Sequence, residues 1–100
     1  MNIENINILR ELKNLSLERV EVTKRKVEKL IKIIEVVEDE KLKRNLIEVN
    51  ETSLKVLEKL KNETIEVRID MLESVNECLK HSYESLRVYK HKRILWKKRY

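Results

Sequence analysis

The sequence predicts an all-α fold, an antiparallel bundle of three long helices, and three observations predict it. The chain contains no Gly and no Pro, so tight turns with positive φ and sharp strand connections are hard to build. Its apolar residues, mostly Leu, Ile and Val, recur three and four apart along nearly the whole length, the spacing of one face of a helix. That recurrence breaks at two short polar runs, Glu38-Asp39-Glu40 and Lys61-Asn62-Glu63-Thr64.

The first helix is expected over about residues 3–37. Ile6 and Leu9 begin its stripe, and Leu12 and Leu15 follow on a slightly rotated face, with a bend expected near Asn14–Ser16. From Val20 the pattern is heptad-like through Thr23, Val27, Leu30, Ile34 and Val37, as in a coiled-coil seam. Ile31, Ile33 and Val36 widen the stripe, which implies contact with two neighbouring helices. Asp39 is placed to cap a second helix starting at Glu40.

The second helix is expected over residues 40–61. Leu42, Leu46, Val49, Val56 and Leu60 form its stripe, widened by Ile47, Leu54 and Leu57. Asn50-Glu51-Thr52-Ser53 interrupts it, so a kink or a break is expected there. Asn62 is the expected cap of a third helix running over about residues 63–95, with Ile65, Ile69, Leu72, Leu79, Tyr83 and Leu86 on one side. Residues 65–71 also alternate as a strand would. Read that way they would form a short strand ahead of helices, the order found in ribbon-helix-helix DNA-binding dimers. That likeness covers a single alternating run, and no Gly marks the later turn.

The whole chain, residues 1–100, reads as one helical domain. The middle helix is the shortest, so the outer two should overhang it and leave apolar surface uncovered. A homo-oligomer, most simply a twofold dimer, would bury that surface. The composition is 41% apolar and 41% charged, too apolar for a disordered chain. Its Lys/Glu/Ile bias and lack of Gln fit a protein from a hot environment, and an AT-rich genome explains the same bias equally well.

The formal net charge is +5, and it is unevenly spread. Residues 87–100 form a basic aromatic extension holding seven of the 23 basic residues and none of the 18 acidic ones. Lys90, Lys92, Arg93, Trp96, Lys97, Lys98 and Arg99 are the candidate nucleic-acid-binding residues. Cations neutralise phosphates with release of counterions, and aromatic rings among them can stack bases. The same stripe suits an anionic membrane surface less well. It also suits a plain solubilising helix end, because the helix dipole favours cations there.

No enzyme is expected. Phosphate-cradling loops and nucleophile elbows need Gly, and the Glu-x-x-His pairs of helical di-metal sites do not occur. Cys78 and His81 make at most half of a zinc site, and Cys78 reads better as a small buried residue. No cofactor and no metal are expected. One Cys and no signal-like N-terminal segment fit a cytoplasmic protein. Two functions stay open: a non-enzymatic helical interaction or assembly protein acting through its own copies and a protein partner, or a nucleic-acid-binding module using the basic end.

Overall fold

A computed structural model describes the backbone of residues 3–99 and the side chains of residues 5–93. Three helices, α1 (Ile3–Ile34), α2 (Glu40–Leu60) and α3 (Ile65–Arg99), pack against one another in an up-down-up arrangement. The assembly is a rod of 69 × 21 × 16 Å. At 1.5 Å per residue α1 and α3 are about 48 and 52 Å long, against about 31 Å for α2.

Each helix presents one heptad row to the common seam. The α1 row is Ser16, Val20, Thr23, Val27, Leu30 and Ile34, continued by Val37 beyond the helix, and every member is buried. In α2 the buried row is Leu46, Asn50, Ser53, Leu57 and Leu60. In α3 it is Arg68, Leu72, Val75, Leu79 and Ser82, with Leu86, Tyr89 and Arg93 half-buried in the same register. Spacings alternate four and three throughout, which keeps each row facing its neighbours over many turns.

The α1 heptad expectation from Val20 onward holds, but the other two stripes need correction. Val49 and Ile69 are exposed, as is Tyr83, while Asn50, Ser53, Arg68 and Ser82 occupy core positions. Helix α2 runs unbroken through Asn50–Ser53: Asn50 and Ser53 turn inward and find hydrogen-bond partners, while Glu51 and Thr52 stay exposed. Asn50 donates to the Leu46 carbonyl at 2.8 Å and to Ser82 Oγ at 3.0 Å, and Ser53 donates to the Val49 carbonyl at 3.1 Å. Ile33 and Val36 face solvent, so the broad stripe predicted for the end of α1 is not all core. Residues 65–71 are helix, which disposes of the strand alternative, and α1 continues through Asn14–Ser16 without interruption.

The helix ends show how a chain without Gly turns. None of the described residues has positive φ. After Ile34 the chain tightens through bonds from Val36 to the Ile33 carbonyl and from Val37 to the Ile34 carbonyl, three-residue closures typical of a last turn. Asp39 then caps α2, accepting from the Leu42 amide at 3.1 Å, as expected. At the other end Thr64, not Asn62, caps α3, accepting from the Val67 amide through its hydroxyl at 3.3 Å.

The end of α2 is closed by a side chain. Arg68, only 2% exposed, donates from Nε to the Leu60 carbonyl at 3.0 Å and from Nη2 to the carbonyls of Lys61 and Glu63 at 3.3 and 3.0 Å. These include carbonyls that helix geometry leaves unpaired, at the end of the helix where the dipole favours a cation. A guanidinium fork supplies here what a left-handed Gly supplies in other helix C-caps.

Candidate interaction surface

The lengths of the helices set out what the bundle can offer a partner. Arg68 of α3 meets Ser16 of α1, Nη1 to Oγ at 2.8 Å, so these residues lie at one level. Helix α3 starts three residues before Arg68, and α2 has already ended. Below about Lys13, α1 therefore runs on alone for roughly 15 Å. Every described residue from 5 to 15 is exposed. Ile6, Ile8, Leu9, Leu12 and Leu15 are between 42 and 56% exposed, although the sequence gives them the periodicity of a buried stripe.

Three grooves run between the helices, and they differ. Between α1 and α2 the surface is bridged by ion pairs: Lys61 Nζ to Glu21 at 3.1 Å and Lys24 Nζ to Glu58 at 3.7 Å. The hydrogen bond and charge of Lys61 hold the Glu21 carboxyl below its ordinary value, and Glu21 in the same order raises Lys61. Between α1 and α3 a groove of about 610 Å³ is lined by Leu12, Leu15, Val22 and Ile69 among polar residues. Between α2 and α3 another, of about 560 Å³, is walled by Val49, Val56, Met71, Val75 and Cys78.

The basic end presents a mixed picture. Lys90 and Lys92 are exposed. Arg93 is half-buried and binds Glu38, Nη2 to Oε1 at 2.8 Å, while the Tyr89 hydroxyl accepts from the Glu38 amide at 3.3 Å. Arg93 and Tyr89 thus fasten α3 to the α1–α2 connection. The side chains of Trp96, Lys97, Lys98 and Arg99 lie outside the described residues.

Cys78 lines the α2–α3 groove, whereas His81 borders a separate hollow with Asp39, Leu42, Glu84, Ser85, Val88, Tyr89 and Lys92. Among the described residues no three His, Cys, Asp or Glu side chains are grouped to hold a metal ion, and no helix is long and apolar enough to cross a membrane. The residue that sequence reasoning passed over is Arg68. Its signal was there, because it falls four residues before Leu72 on the seam spacing, but a cation at that place reads as surface until its carbonyl partners are known.

No protein-family model matches the chain, and the searches of curated proteins and of solved structures each return no match.

Proposed function

We propose that this chain is a non-enzymatic helical assembly protein that works through its helix faces, binding copies of itself and a protein partner. The observation that supports the reading is the row of half-exposed Ile and Leu side chains on the lone end of α1. A contiguous apolar row on an otherwise charged rod marks an association surface. Its length suits a helix laid alongside, the commonest way for amphipathic helices to recognise each other. Sedimentation equilibrium over a wide concentration range tests it: reversible association is expected, and a monomer at every concentration that also captures no helical partner refutes it.

A second reading is favoured by Lys90 and Lys92, exposed on a stretch with no acid after Glu84. In that reading Lys90, Lys92, Arg93, Trp96, Lys97, Lys98 and Arg99 bind nucleic acid without strong sequence preference. Phosphate contacts make such binding fall steeply with salt. Arg93 contributes less than the lysines, because Glu38 already holds it. Titrating duplex and single-stranded DNA and RNA at low and physiological salt, with and without residues 90–100, decides between the two. Salt-sensitive binding lost with the tail supports the second reading, and no binding at low salt eliminates it.

A further inference from the structure

We infer that the partner for the lone end of α1 is a second copy of this chain, seated base to base and antiparallel, with each overhang filling the other's α1–α3 groove. The inference rests on the assembly reading above and specifies its surface.

Continuity is the first ground. Leu12, at the inner end of the overhang, and Leu15, just above it, line the α1–α3 groove, which continues through Val22 and Ile69. A helix approaching along the groove and one approaching the overhang meet the same apolar floor. Val22 and Ile69 are 47 and 45% exposed, so the groove is uncovered in the single chain. The α1–α2 groove is bridged by two ion pairs, and the α2–α3 groove shares no residue with the overhang.

Charge supplies the second ground. Residues 3–15 carry Glu4 and Glu11 against Arg10 and Lys13, a neutral segment, whereas residues 87–100 carry seven cations and no acid. Two copies meeting at their bases bring neutral surfaces together and hold the cationic ends as far apart as the rods allow. A parallel pair would set those ends side by side, at a cost that grows as salt is lowered.

Area is the third. A standard interface buries about 800 Å² per partner. Five half-exposed Ile and Leu side chains, with Val22, Ile69 and the stems of the surrounding charged residues, supply a surface of that order. An isolated segment of this length is also marginal as a helix in water. Each copy therefore both needs this cover and provides it, in equal numbers.

Sedimentation combined with small-angle scattering tests the proposal on the full chain. The wild type is expected to be a dimer with a maximum dimension of roughly 110 Å, twice the 69 Å rod less the shared overlap. Leu12→Glu and Leu15→Glu alter exposed side chains, so the three-helix body should stay folded, with helicity by circular dichroism falling by no more than the uncovered end of α1, while the particle becomes a monomer of no more than about 70 Å. Val49→Glu, in the other groove, should leave the dimer intact. A dimer near 70 Å long, or one broken by Val49→Glu and not by Leu12→Glu, overturns this inference and leaves the assembly reading standing. A monomer at all concentrations removes self-association altogether.

Discussion

Arg68 and Ser16 are 52 residues apart in the chain and joined by a 2.8 Å hydrogen bond in the buried base of the bundle. Ser16 passes the interaction on by donating to the Lys13 carbonyl at 2.8 Å. Through this one guanidinium, α3 grips the end of α2 and the side of α1 together.

Replacing Arg68 should therefore be costly beyond the loss of any single bond. Arg68→Ala takes one of two donors from the Leu60 carbonyl, which keeps the Glu63 amide, leaves the Lys61 and Glu63 carbonyls and the Ser16 hydroxyl without the guanidinium, and opens space in the core. Because water can reach part of this site, a loss of about 2–4 kcal/mol is expected. Arg68→Lys should recover little, since an ammonium cannot match a planar fork aimed at several acceptors. Urea unfolding of the two variants checks this, and a lysine variant as stable as wild type would refute the capping role.

Asn50 predicts the opposite sign. Its Oδ1 is buried without a partner, an arrangement that costs about 1–3 kcal/mol. Because, among the described residues, Asn50 alone donates to the buried Ser82 hydroxyl, both partners must go: Asn50→Leu with Ser82→Ala should raise the unfolding free energy by about 1 kcal/mol, offset in part by overpacking. A buried Asn at a seam position also fixes register in coiled coils. Without it the helices of one chain should pack in more than one register, seen as multiple or broadened amide resonances where wild type gives a single set.

The exposed Glu21–Lys61 pair sets a pH window. Glu21 titrates below its ordinary value of 4.5, so its contribution is present above that pH and is lost as pH falls through the lowered value. Lys61 titrates above its ordinary value of 10.5, so its contribution is present below that pH and is lost as pH rises through the raised value. The stability difference between wild type and Glu21→Gln should be flat between these limits and vanish in acid. Being exposed, the pair should also fade in high salt. A difference that persists in acid would show that Gln disturbs something besides the ion pair.

The periodicity of Val20–Val37 made the α1 seam legible, and Asp39 after an acidic break marked the start of α2. Less legible were the polar members of the seam. Asn50, Ser53, Arg68 and Ser82 are polar by composition and buried by position, and only the spacing to Leu46, Leu57, Leu72 and Leu79 reveals it. Apolar weighting instead favoured Val49, Ile69 and Tyr83, which face outward. The uncovered surface was foreseen from helix lengths, but its place was not, because levels along the rod follow from pairs such as Ser16–Arg68 that sequence does not announce.

Cover of the lone end of α1 by another chain is read most directly, residue by residue, by amide hydrogen exchange. Comparing high and low protein concentration, residues 3–15 should be protected only when concentrated, while Val20–Ile34 and Leu46–Leu60 exchange slowly in both. Exchange of residues 3–15 that stays fast at every concentration would contradict it.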